Sequence, residues 1–138
     1  MPTFRSHVVG PGFEQMCRDW ALWSDGVFAD VPAEAHSGVV TDTASRTQIQ
    51  VDVAVFAAAR PGKSRQLLSV GEVKWGKPLG LRHLQRLVRA RELLSARGYD
   101  TARTVLGLYS GSGFDSDLRA AAATDSSILL ADAARLYQ

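Results

Sequence analysis

Two runs in the middle of the chain read as neighbouring β-strands, and both carry charge in otherwise apolar company. Residues 49–56 (IQVDVAVF) alternate Val51, Val53 and Val55 against Gln50, Asp52 and Ala54, and residues 67–75 (LLSVGEVKW) follow after the turn Arg60-Pro61-Gly62-Lys63-Ser64. A connection of this length favours an antiparallel hairpin. Strand side chains alternate with a period of two, so Glu72 and Lys74 share one face while Val73 and Trp75 take the other, and Asp52 can face the same side as Glu72. An acid inside a valine-rich strand is costly to bury unless it is paired or bound to a cation.

The remaining chain supplies elements around this pair. Residues 11–24 form a helix in which Phe13, Met16, Cys17 and Trp20 follow the i, i+3, i+4, i+7 rule, with Pro11 suited to the first turn and Glu14 flanking the stripe. Residues 25–47 scatter Asp, Gly, Pro and Ser, and only residues 36–40 read as a short strand. After Pro78, the residues Leu81, Leu84, Leu87, Val88 and Leu94 mark a long amphipathic helix ending near Arg97-Gly98. A strand over 104–109, a helix over 114–123 and a short strand over 128–130 complete the order α-β-β-β-α-β-α-β. This is an α/β chain, and its 138 residues, 46% of them hydrophobic, suit one domain over 1–138.

No run of about 18 apolar residues occurs, and the N-terminus lacks the charged-then-apolar layout of a signal peptide, so a cytoplasmic protein without a membrane partner is expected. Residues 60–103 hold eleven of the sixteen basic residues and three acids, a balance of +8 against −6 for the rest. Such a segment suits an anionic partner. Within it Arg82, Arg86 and Arg89 lie on one face of the long helix, where they either track a phosphate backbone or form a solvated face.

The strand pair also suggests chemistry. A hard cation such as Mg²⁺ takes oxygen ligands, and two carboxylates on adjacent strands, with a backbone carbonyl between them, can hold it and leave positions for water and phosphate. Asp52 and Glu72 meet that need. Lys74 adds a compact point charge that can hold an attacking water or oppose charge building on a phosphate.

Val51-Asp52, a 19-residue gap and then Glu72-Val73-Lys74 resemble the signature of the PD-(D/E)XK nuclease-like superfamily. Together with Gly12-Phe13-Glu14 and Tyr109-Ser110-Gly111-Ser112-Gly113-Phe114, they are most similar to the nuclease-like domain at the C-terminus of certain prokaryotic P-loop ATPases. The resemblance spans nearly the whole chain. It implies a restriction-endonuclease-like αβββαβ core with a mixed central sheet flanked by helices, standing alone or as part of a longer ATPase chain. It implies Asp52 and Glu72 as ligands of Mg²⁺ or Mn²⁺, Lys74 as the catalytic lysine and Glu14 as an accessory acid. DNA contacts fall to Lys77, Arg82, Arg86 and Arg89, with Gln85 as a polar residue lining the site. Two departures stand out: Val51 replaces the proline of the superfamily's name, and Gln50 stands where relatives often carry an acid.

Two functions are therefore expected to compete. One is a metal-dependent DNA phosphodiesterase of the PD-(D/E)XK type. The other is a non-catalytic nuclease-like module that binds DNA or protein in association with an ATPase, and the resemblance allows a homodimer in either case.

Other signals carry less. Gly62-Lys63-Ser64 imitates the end of a phosphate-binding loop but lacks its first glycine, at Ala57, and precedes a strand, so it reads as a hairpin turn. Gly111-Ser112-Gly113 reads as a turn with helix capping rather than a dinucleotide site. His7, His36 and His83 are too scattered for zinc. Cys17 reads as a core residue, and Trp20 and Trp75 as core packing rather than base-stacking platforms.

Overall fold

In the computed structural model, which describes residues 2–137 and the side chains of residues 12–137, the charged strand pair lies inside a five-stranded mixed sheet flanked by helices. The elements are α1 (Pro2–Leu22), β1 (Pro32–Asp42), β2 (Thr47–Ala57), β3 (Leu67–Lys74), α2 (Leu81–Ala96), β4 (Val105–Ser110), α3 (Ser116–Thr124), β5 (Ile128–Asp132) and α4 (Ala133–Leu136). The strands lie in chain order across the sheet: β1, β2 and β3 are antiparallel neighbours, while β3, β4 and β5 run parallel. Parallel neighbours need a crossover, which α2 and α3 provide.

Each face of the sheet has its own core. Phe13, Cys17 and Ala21 of α1 and Leu136 of α4 pack on Val53, Val55, Leu68, Val73 and Tyr109. Leu87 and Ala90 of α2 and Leu118 of α3 pack on Ile49, Val51, Leu67, Val70 and Leu108 across the other face. Cys17 is fully buried, as its helical position suggests, and burial pushes its thiol up to about 12.

The even alternation expected along β2 does not hold. Ile49 and Val51 face α2, whereas Val53, Val55 and Ala57 face α1. The register explains the switch: β1 advances from His36 to Gly38 while β2 moves from Ala54 to Val51, so β2 carries one extra residue at Asp52–Val53. Such a bulge rotates the strand by one side-chain position. β3 has its own irregularity, since Val55 faces Ser69 and Phe56 faces Leu67, leaving Leu68 extra.

Three further expectations need correction. α1 begins at Pro2, so Pro11 lies inside the helix rather than in its first turn; a proline within a helix forfeits one main-chain bond and reads in sequence as a start. β1 is longer than residues 36–40; it is an edge strand, mostly exposed on both faces, so it has no apolar alternation to betray its extent. Trp75 is not core: it is 43% exposed, packed edge-on against Phe13 at 4.9 Å and pressed against Gly111, where a Cβ would lie 2.4 Å from the indole. Trp20 does pack inward, edge-on to Tyr109 at 6.0 Å.

Both turn readings hold. Gly62 adopts a left-handed φ of 73° in the β2–β3 connection, and Asp115 caps α3 by accepting from the Leu118 N–H. Among the described residues no helix is long and apolar enough to cross a membrane.

Candidate functional site

The bulge in β2 places Asp52 where the β2–β3 ladder stops. The last paired residues are Val53 and Gly71, and beyond them the Asp52 carboxylate replaces the main chain as partner: its Oδ2 accepts the Val73 N–H at 2.8 Å. Oδ1 accepts from Gln50 Nε2 at 3.1 Å, and the Asp52 main-chain oxygen accepts from Arg18 of α1 at 3.0 Å. The parting strands leave a pocket of about 180 Å³, lined by Glu14, Gln50, Asp52, Glu72, Val73, Lys74 and Arg86 among others. The four residues expected to do chemistry, from α1, β2 and β3, thus surround one cavity.

Asp52 and Glu72 are each only 6% exposed. Burial raises the pKa of Asp52, against the opposing pull of the Val73 N–H, Lys74 and Arg18. Burial likewise raises Glu72, opposed chiefly by Arg86 and Lys74, and the neighbouring Asp52 adds to the rise. Glu14 is raised by burial first and by Asp52 second. Three carboxylates with raised values around one cavity form a site that favours added positive charge.

Glu72 has a partner that the sequence did not disclose. Arg86 of α2 donates through Nη2 to Glu72 Oε2 at 2.8 Å, and His83 Nε2 stands 3.6 Å from the same oxygen. His83 Nδ1 accepts the Gly80 N–H at 2.9 Å, which leaves the proton on Nε2, directed at Glu72. Burial first, then Arg86 and Arg82, lowers the pKa of His83, so the imidazole is neutral at pH 7. The signal for His83 was its place in the first turn of α2, where side chains reach back to the preceding amide.

Beside this pocket lies a larger cavity of about 590 Å³ lined by Lys74, Lys77, Pro78, Arg82, His83 and Arg86. Lys74 and Arg86 belong to both cavities. Gln85 is exposed and lines neither.

Arg89 is engaged elsewhere, donating to Asp42 through Nε at 2.9 Å and Nη2 at 3.2 Å. That guanidinium holds the Asp42 carboxyl down at about 2. Arg60 pairs with Asp30 and Arg65 with Glu34, so with Arg89 three of the eleven basic residues in 60–103 are balanced by acids at and just before the β1 edge. Lys74, Lys77 and Arg82 have no carboxylate partner among the described residues.

The donor set fits a hard divalent cation in part. Among the described residues no three His, Cys, Asp or Glu side chains form a ready metal cage. Two buried carboxylates beside water-accessible space suit a cation that keeps several waters and takes its remaining ligands from a phosphate, as Mg²⁺ does. No protein-family model, curated protein or solved structure matches this chain.

Proposed function

We propose that the chain is a divalent-cation-dependent DNA phosphodiesterase of the PD-(D/E)XK type, built on a restriction-endonuclease-like αβββαβ core. The observation that carries this reading is the gathering of Glu14, Asp52, Glu72 and Lys74 around one pocket that shares Lys74 and Arg86 with a cationic cavity. Asp52 and Glu72 would hold Mg²⁺ or Mn²⁺, which when bound supplies Lewis acidity at the phosphoryl oxygen and a more acidic water. Lys74, exposed at the end of β3, orients the nucleophile and opposes the charge that grows on the phosphate. Glu14 contributes a carboxylate able to hold water beside Asp52. Lys77 and Arg82 seat the neighbouring backbone phosphates.

A second reading draws support from the Arg86–Glu72 pair, which already compensates one of the two ligands. On that reading the chain is a nuclease-like module that binds DNA, or an ATPase partner, without cutting. The test is incubation with linear, circular and branched DNA in Mg²⁺ or Mn²⁺, beside Glu72→Ala and Lys74→Ala. Metal-dependent cutting lost in both variants supports the enzyme, and variants that cut as well as the parent sink the site assignment. DNA retention that weakens steeply with salt, without cleavage, favours the module.

A further inference from the structure

Arg86 stands in both cavities. Its Nη2 is bonded to Glu72 while 53% of its side chain remains exposed, and among the described residues nothing else bonds its Nε or Nη1. The larger cavity gathers Lys74 at the end of β3, Lys77 before α2, and Arg82 and Arg86 from the first two turns of α2, with no carboxylate in its lining. An oxyanion there meets four cations and the positive end of a helix.

A guanidinium binds phosphate best through two parallel N–H donors. Turning that fork into the larger cavity breaks the Nη2 bond to Glu72. Glu72, 6% exposed, would then be a buried carboxylate without its partner, which is strongly unfavourable unless another cation takes the place. In the absence of an anion, a divalent cation must instead displace Arg86 unaided.

Building on the reading of Asp52 and Glu72 as cation ligands, we infer that Arg86 is an exchangeable counter-ion. It covers Glu72 in the free chain, and a phosphate group held by Lys74, Lys77 and Arg82 draws it away, so that phosphate and divalent cation bind with positive coupling. The coupling is reciprocal by thermodynamic necessity: the cation tightens phosphate binding by the same factor. A chain regulated in this way would bind its cation more tightly on a phosphate-bearing ligand than alone.

Mn²⁺ affinity measured by titration, with the free ion followed by electron paramagnetic resonance, tests this without reference to cleavage. The probes are sulfate, as a free oxyanion that leaves Mn²⁺ in solution, and a short oligonucleotide, as a phosphodiester. Either should raise the Mn²⁺ affinity of the parent chain about tenfold, within the range usual for coupled sites. An effect from the oligonucleotide alone assigns the cavity to backbone phosphate, and an equal effect from both assigns it to any oxyanion; both outcomes support the exchange.

Arg86→Gln should bind Mn²⁺ more tightly than the parent without any anion, and the anion effect should fall to within about twofold, the coupling having been removed. Arg86→Lys retains the charge but not the fork, and its anion effect should be intermediate. Arg86→Gln should also melt below the parent in chelator and recover on adding Mn²⁺, which separates a missing counter-ion from a failure to fold. Mn²⁺ binding that is equal in parent and Arg86→Gln and indifferent to either anion overturns the exchange while leaving the cation site intact. No Mn²⁺ binding in any form overturns both the exchange and the functional reading beneath it.

Discussion

Asp52 has two separable duties, and substitution at this one position can tell them apart. Its Oδ2 stands in for a missing ladder acceptor at the Val73 N–H, and its charge makes it a candidate cation ligand. Asp52→Ala removes the acceptor and leaves a buried N–H unpaired, a loss of ~1–3 kcal/mol. At about 4 °C per kcal/mol for a chain of this length, that is roughly 4–12 °C in melting temperature. Asp52→Asn keeps an acceptor for Val73 and removes a charge that burial disfavours.

Because burial raises its pKa, the folded chain holds the Asp52 proton more tightly than the unfolded chain does. The stability this confers is complete below the ordinary aspartate range near pH 4 and is lost as pH rises through the raised value. Ionised Asp52 is therefore a net liability at pH 7. The predicted order of melting temperatures at pH 7 is Asn at or above Asp, with Ala clearly below Asn because only Asn keeps the Val73 acceptor, and the advantage of Asn over Asp should shrink toward pH 4. His83, whose lowered pKa acts with the opposite sign, cancels in this comparison. Thermal melts of the three proteins at several pH values in chelator are the assay. An Asn variant as unstable as Ala, or an Asn–Asp gap that grows on acidification, would refute the reasoning.

Other perturbations follow from the same contacts. Lys77→Ala and Arg82→Ala should each reduce the salt slope of DNA binding by about one, whereas Arg89→Ala should leave the slope alone and lower the melting temperature, because it deserts the buried Asp42. Filter retention across a salt series, with melts alongside, checks both; a slope change in Arg89→Ala would return that residue to the DNA face. Gly71→Ala places a Cβ 2.7 Å from Tyr109 Cε1 and 3.0 Å from the Gly107 carbonyl oxygen, and overpacking of this kind costs ~1–3 kcal/mol. A melting temperature equal to the parent's would show that the Tyr109 ring can move aside.

The sequence disclosed elements better than faces. Helix and strand order was legible because apolar periodicity is strong in α2, β2 and β3, where burial enforces it. The bulge at Asp52 was invisible, since Val51, Val53 and Val55 alternate perfectly on paper; only pairing with β1 shows that the chain gains a residue there. That hidden turn is also what delivers Asp52 to the pocket. Composition placed a cationic surplus in 60–103 but could not show which cations were already paired, because Asp30, Glu34 and Asp42 lie far away in sequence. Gly71 is set by the Tyr109 ring packed against it, a long-range contact that no local pattern announces. The Arg86–Glu72 pair depends on the approach of α2 to β3, which a single sequence does not encode in any local pattern.

The most direct test of the central claim is where a cation goes. Crystals of the protein grown with Mn²⁺ and a short oligonucleotide, and measured for anomalous scattering, should show manganese between the Asp52 and Glu72 carboxylates, with Arg86 turned toward a phosphate. Manganese absent from that pocket, or bound elsewhere with Arg86 still on Glu72, would contradict the account.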